Sequence, residues 1–183
     1  MTDNNGNTAT CNATVTVEDN VDPTAICQDI TVQLDASGNA SITAADSDNG
    51  SNDACGIQSL AIDTTAFTCA DVGANTVTLT VTDNNDNVST CTATVTVEDN
   101  VDPTAIYQDI TVQLDASGNA SITAAQIDNG SNDACGIDSL ALSQENFDCN
   151  SLLLSPITVT LFVLDNNGNT ASCNATVTVE DNV

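Results

Sequence analysis

Two kinds of side chain in this sequence are able to do chemistry: carboxylates and thiols. Among 183 residues there are 26 Asp and Glu and eight Cys, with no Lys, Arg or His, so the formal charge is −26. That inventory closes most catalytic routes. A serine or cysteine nucleophile needs an imidazole base. Nucleic-acid binding needs Lys or Arg against the phosphates. Schiff bases, arginine clamps and lysine isopeptide crosslinks need the same missing groups. A two-carboxylate glycosidase remains conceivable. Nothing marks an acid–base pair, however, and one Tyr and three Phe are too few to line a sugar cleft. The chain is expected not to be an enzyme. Its carboxylates suit a hard cation instead, since Ca2+ takes about six to eight oxygen ligands from carboxylates, amide carbonyls and backbone.

Three kinds of loop concentrate such oxygens. Glu18, Asp19, Asn20 and Asp22 recur as Glu98, Asp99, Asn100 and Asp102. Asp46, Asp48 and Asp53 lie in a loop with carboxylates at alternate positions before Gly50, and Gln126 replaces Asp46 in its second copy. Asp83 and Asp86 lie in a third, echoed at Asp3 and Asp165. Asp and Asn are also ordinary turn formers on a solvated surface. The total charge favours the cation, because like charges with no internal counter-charge repel one another. Calcium is therefore expected at these loops and should raise the melting temperature.

No two cysteines stand at the spacing of about two to four residues usual for zinc pairs, so disulfides in an oxidising compartment are expected. Cys55 and Cys69 are 14 residues apart, as are Cys135 and Cys149. Each pair is expected to be a local bridge, worth ~3 kcal/mol in the chain-entropy model.

The elements that must position these groups repeat along the chain. Residues 21–59 and 101–139 differ at only four positions: Cys27/Tyr107, Asp46/Gln126, Ser47/Ile127 and Gln58/Asp138. The stretch 2–20 recurs at 82–100 and 164–182. This divides the chain into residues 1–20, the closing strand of a preceding or neighbouring repeat, and two complete repeats, 21–100 and 101–183. Val77, Leu79 and Val81 alternate with Thr, as do Ala93, Val95 and Val97. Such alternation describes half-buried antiparallel strands, and Asp-Asn-Gly clusters between them read as turns. No helical period is convincing. The fold class is all-β, tandem immunoglobulin-like β-sandwich domains of about seven strands each. No apolar run of about 18 residues exists to cross a membrane. Met1 is followed by Thr-Asp-Asn-Asn rather than a signal peptide, so a secreted form of this chain is expected to be a mature or excised piece.

The opening Asp22-Pro23-Thr-Ala-Ile26-Cys27 and the closing Asp83-Asn-Asn-Asp-Asn87-Val-Ser-Thr-Cys91-Thr-Ala93-Thr-Val95-Thr-Val97 resemble the hyalin-repeat (HYR) family across both complete repeats. The near-identical, Lys-free units also resemble secreted repeat proteins of the Bacteroidetes type. The resemblance implies an extracellular, non-catalytic adhesion or structural role in long arrays, with a Cys27–Cys91 bridge from the opening to the closing cysteine. Tyr107 breaks that pattern in the second repeat. Cys173 and Cys11 are then left either unpaired or joined between subunits. The acidic junctions look similar to the linkers of cadherin-type arrays, where ions stiffen the joint.

The second repeat replaces outward Thr positions by Phe162 and Leu164, and its segment Asn150–Ile157, which replaces Ala70–Asn75 of the first, carries Leu152, Leu153 and Leu154. With Tyr107, these are candidate interface residues, although the leucines could instead fold back locally. Thr64, Ser139, Asn39 and Asn119 are candidate glycosylation sites. The expected role is a structural repeat unit of an extracellular filament or cell-surface stalk, self-associating head to tail or as contiguous repeats of one long chain. The alternative is a calcium-dependent adhesin module binding a glycan or protein ligand. No nucleic acid or membrane insertion is expected.

Overall fold

The computed structural model describes residues 1–182; Val183, the last residue of the expected second domain, lies outside the described residues. In the first repeat β1 (Ile30–Gln33), β3 (Ile57–Ile62), β5 (Gly73–Asp83) and β6 (Val88–Glu98) form a four-stranded sheet in the order β1-β6-β5-β3. A two-stranded sheet of β2 (Asn39–Ser41) and β4 (Ala66–Thr68) packs on it. β1 runs parallel to β6, with Ile30 opposite Val95; the other pairings are antiparallel. The second repeat copies this with β7 (Ile110–Gln113), β8 (Asn119–Ser121), β9 (Ile137–Leu142), β10 (Asn146–Asp148), β11 (Ile157–Asp165) and β12 (Thr170–Glu180).

The β-sandwich class matches the sequence pattern, but among the described residues each repeat has six strands rather than about seven. The opening segment makes only isolated bridges, Thr24 to Asn52 and Cys27 to Asp48. Pro23 has no N–H to extend that ladder, and the Asp48 carboxylate accepts from the Gly50 and Ser51 N–H groups, turning the partner strand away. One-turn helices α1 (Ala44–Ser47) and α2 (Ala124–Ile127), and α3 (Cys149–Leu153), also occur where no helical period was visible. Short caps suffice to start them: Asp46 accepts from Thr43 N–H, and Asp148 from the Asn150 and Ser151 N–H groups.

Alternation along the long strands builds the core. Val77, Leu79, Val81, Ala93, Val95 and Val97 are at most 3% exposed. Val77, Ala93, Val95 and Val97 meet Leu34, Ile42 and Phe67, the last from the small sheet. The two repeats finish their cores differently. In the first, Cys27 is bonded to Cys91, and the neighbouring Ser47 is buried with no partner for its hydroxyl. In the second, Tyr107 turns outward and Ile127 fills the position of Ser47 at 0% exposure, with Cys173 packed against the same cluster. Burial, with the charge of Asp128, pushes the Cys173 thiol up.

The expected local bridges Cys55–Cys69 and Cys135–Cys149 do not form. Cys69 is bonded to Cys135 of the other repeat, and Cys55 and Cys149 are free and exposed. The reason lies in the long strand that follows the second cysteine of each repeat, since the two cysteines sit by its opposite ends. Cys69 sits in a 3₁₀ turn just before β5, while Asn84, just after β5, donates to the Cys55 carbonyl at 2.7 Å. The 11 residues of β5, at about 3.3 Å each, hold Cys55 and Cys69 near opposite ends of the sandwich. Closeness in sequence gave the wrong pairing, and the repeats are joined end to end covalently.

Residues 1–20 join no sheet. The Asp3 carboxylate gathers the Asn5 and Asn7 N–H groups into the same turn that follows β5 and β11, but Val15 and Val17 are 82% and 90% exposed.

Candidate functional site

The β5–β6 and β11–β12 turns need an acceptor at their first residue and a positive φ at the fourth. Asp83 and Asp165, both buried, supply the acceptor. Asp165 takes the Asn167 and Asn169 N–H groups and the Asn169 side-chain amide, each at 2.8 Å. Asp83 takes the Asn85 and Asn87 equivalents at the same distance. The fourth position is Gly168 at φ 97° in one turn and Asp86 at φ 71° in the other, where glycine would be the unstrained choice. Burial raises both carboxyls, but the bonds from Asn87 and Asn169, then those from the other turn amides, outweigh it, and both lie below their ordinary value. A lowered folded pKa stabilises above the unfolded value and is lost as pH falls through the folded one. Carboxyl NMR titration should therefore give midpoints for Asp83 and Asp165 below about 3.9, with the turns loosening under more acid conditions. Midpoints at or above that value would mean the turns are held otherwise.

These turns reach the junctions. Asn169, oriented by Asp165, donates to the Asp99 carbonyl at 3.1 Å, and Asn87 donates to the Asp19 and Val21 carbonyls at 3.2 Å. Asp99 follows β6, so strand alternation turns it inward while Glu98 and Asn100 point out. At the junction between the repeats, carboxylate oxygens of Asp99 and Asp133 and the sulfur of Cys135 lie within 4.8 Å of one another. The copy nearer the N-terminus groups Asp19, Asp53 and Cys55.

The inner group has two features that the outer one lacks. Asp99 is only 7% exposed, and its Oδ2 has no hydrogen-bond partner, while Oδ1 accepts from Val101 N–H. Asn167, in the turn that holds the Asp99 carbonyl, carries another buried oxygen without a partner. Two carboxylates this close repel by roughly 1 kcal/mol in water and about 4 kcal/mol at an effective dielectric of 20. No positive side chain exists to offset this. The donor set is oxygen-rich, crowded and unneutralised, which fits Ca2+, with backbone or water completing the shell. The Cys135 sulfur, being in a disulfide, is a neighbour and not a ligand. In the outer group Cys55 is a free thiol, pushed up first by a hydrogen bond to Asp19 and its charge, then by burial and by Asp53 and Asp83.

The other sequence candidates are dispersed. Glu98 and Asn100 meet at Gln33, away from Asp99. Asp46, Asp48 and Asp83 spend carboxylate oxygens on their own turns, and Asp86 accepts from Gln58. Glu18 and Asp22 are exposed, as is Asp102. Asp53 belongs with Asp19 rather than with Asp46 and Asp48. Asp133 was missed, although it stands in the same Asp-Ala-Cys-Gly stretch as Asp53.

Of the candidate interface residues, Leu152 folds back onto the core, whereas Leu153 and Leu154 are exposed. Phe162 and Leu164 line a shallow pocket with Ser139, Ala141, Val163 and Thr170. Tyr107 is 45% exposed beside Asp128. Ser139, Asn39 and Asn119 are exposed and Thr64 is half-buried. Cys11 is exposed and free. Among the described residues no helix is long and apolar enough to cross a membrane.

No protein-family model matches the chain, and no curated protein matches it. Solved structures with a similar course include human protocadherin-24 EC1-2, at 10% identity over 88% of this chain and 100% of that one, with a TM-score of 0.45. Sidekick-1 immunoglobulin domains 1–4 give 10% identity, 88% and 48% coverage and a TM-score of 0.43. Protocadherin gamma B7 extracellular cadherin domains 1–4 give 10%, 87% and 51%, and 0.40. The chain spans about half the length of the latter two.

Proposed function

We propose that this chain is a structural repeat unit of an extracellular filament or surface stalk of the hyalin-repeat kind, stiffened at its junctions by disulfides and Ca2+. The observation that carries the reading is buried Asp99, its Oδ2 without a partner and its carboxylate close to that of Asp133, at a junction already closed by Cys69–Cys135. A disulfide between successive domains fixes their relative placement, which a spacer needs and a solitary binding module does not. Ca2+, when bound by Asp99 and Asp133, would supply the counter-charge missing from the sequence. Disulfides imply export to an oxidising compartment, where Thr64, Ser139, Asn39 and Asn119 are available to glycosylation. The Phe162 pocket favours a second reading, an adhesion face for a glycan or protein.

Immunogold electron microscopy of the protein in its native surroundings tests the first reading. Labelled filaments or stalks with an axial period of one or two domains are expected. Label on dispersed material without periodic structure would contradict it.

A further inference from the structure

We propose that the Cys69–Cys135 disulfide and the Ca2+ site at Asp99 and Asp133 form one coupled lock: the bridge sets the calcium affinity of the two carboxylates, and bound calcium in turn protects the bridge from reduction by small thiols. The inference rests on the calcium reading of this junction and adds the regulation of that site.

The two carboxylates come from different repeats. Asp99 follows β6 of the first, and Asp133 precedes β9 of the second. Their separation therefore depends on how the repeats are held to one another. Asp99 is held through its carbonyl, which accepts from the Asn169 side-chain amide at 3.1 Å. Asp133 is held through Cys135, two residues on. The Cys135 N–H donates to the Asp133 carboxylate at 2.7 Å, and its sulfur is bonded to Cys69 of the first repeat. That sulfur lies within 4.8 Å of a carboxylate oxygen of each aspartate. The first repeat leaves room for the loop at Gly38, whose φ is 73°. A Cβ there would come within 3.3 Å of Ala134 Cβ and 3.7 Å of the Cys135 sulfur. The bridge clamps the Asp133 loop onto the first repeat, and so sets its distance from Asp99.

Holding two carboxylates together without a counter-ion is unfavourable. The buried Asp99 Oδ2 has no hydrogen-bond partner among the described residues to relieve it. With the bridge closed, that repulsion is already overcome in the folded junction, and Ca2+ meets a preassembled pair of ligands. With the bridge open, the repulsion drives the repeats apart, and the ion must draw the carboxylates back before it binds. Calcium affinity is lower in the open state. Linkage makes the effect reciprocal: the factor by which the bridge raises calcium affinity is the factor by which calcium disfavours reduction of the bridge. Reduction by glutathione breaks the Cys69–Cys135 S–S bond and forms the S–S bond of glutathione disulfide. Two electrons and two protons pass from two glutathione thiols to the two protein sulfurs.

Two measurements on the full chain test this. Cys69→Ser opens this bridge alone and leaves Cys27–Cys91 and both carboxylates in place. Isothermal titration with Ca2+ should show binding to Cys69→Ser weaker than to the oxidised wild type by roughly 5- to 150-fold, the usual range of such couplings. The second measurement needs no cysteine variant. The wild type is equilibrated in glutathione buffers, and its free thiols are trapped and located by mass spectrometry. Saturating calcium should lower the equilibrium constant for reducing Cys69–Cys135 by the same factor and leave that of Cys27–Cys91 unmoved. In Asp99→Asn/Asp133→Asn the bridge should ignore calcium and, in chelator, resist reduction better than in the wild type. Saturable binding of equal affinity in wild type and Cys69→Ser, or a reduction equilibrium that calcium does not shift, overturns the coupling while the calcium site stands. Absence of binding to either chain overturns both.

Discussion

Replacing Cys27 by serine should lower the melting temperature of the first repeat by roughly 15–30 °C, at about 4–8 °C per kcal/mol for a domain of this size, and leave the second repeat nearly unmoved. Cys27 and Cys91 are 64 residues apart, and releasing a loop of that size gives the unfolded chain about 4 kcal/mol of entropy. The second repeat is an internal control, since Tyr107 denies it this bridge. It relies on Ile127, fully buried where the first repeat has Ser47 with an unpartnered hydroxyl. Burying an isoleucine contributes about 1.5–3 kcal/mol, and removing an unsatisfied hydroxyl a further ~1–3 kcal/mol. Ser47→Ile should thus recover much of the loss in the Cys27→Ser background. In the intact protein it crowds a core completed by the disulfide, where overpacking costs about 1–3 kcal/mol. A calorimetric double-mutant cycle reads this as strong coupling. Equal gains from Ser47→Ile in both backgrounds, or a shift of only a few degrees from Cys27→Ser, would show that the two cores are not alternative solutions to one gap.

Calcium should have the second large effect, with opposite signs in two conditions. Sites in extracellular modules bind Ca2+ with Kd on the order of 10⁻⁴–10⁻³ M. At about 10 mM Ca2+ one such junction gains roughly 1.4–2.7 kcal/mol by mass action. Asp99→Asn with Asp133→Asn removes that gain. In chelator the same pair of substitutions removes a close carboxylate repulsion that nothing else offsets. The variant should therefore melt above the wild type in chelator and below it in calcium.

The long strands were legible because Thr alternates with Val and Leu over whole elements, as in Thr76–Val81. The Asp83 and Asp165 turns were legible because the acceptor and its Asn partners lie within five residues, and Asp3 makes the same turn without a sandwich behind it. What failed was long-range. Equal spacing suggested Cys55–Cys69, but β5 separates those residues and the second repeat brings Cys135 to Cys69. The junction was read as the contiguous Glu98–Asp102 cluster. Strand alternation sends Glu98 outward, and the partner of Asp99 arrives from residue 133, across a repeat boundary. Ser47/Ile127 and Cys27/Tyr107 were visible as differences, but their coupling needed the shared core. The negative charge acquires a location in the same way: most turn carboxylates are satisfied by local amides, and the buried carboxylate oxygen without a partner among the described residues, Asp99 Oδ2, is at the joint.

The most direct measurement is an isothermal titration of Ca2+ into the oxidised chain, run beside the Asp99→Asn/Asp133→Asn variant, with melting curves of both in calcium and in chelator. Saturable binding to the wild type, one fewer site in the variant, and reversal of their melting order between the two conditions are expected. Identical isotherms for the two chains, or a wild type that melts at the same temperature with and without calcium, would contradict it.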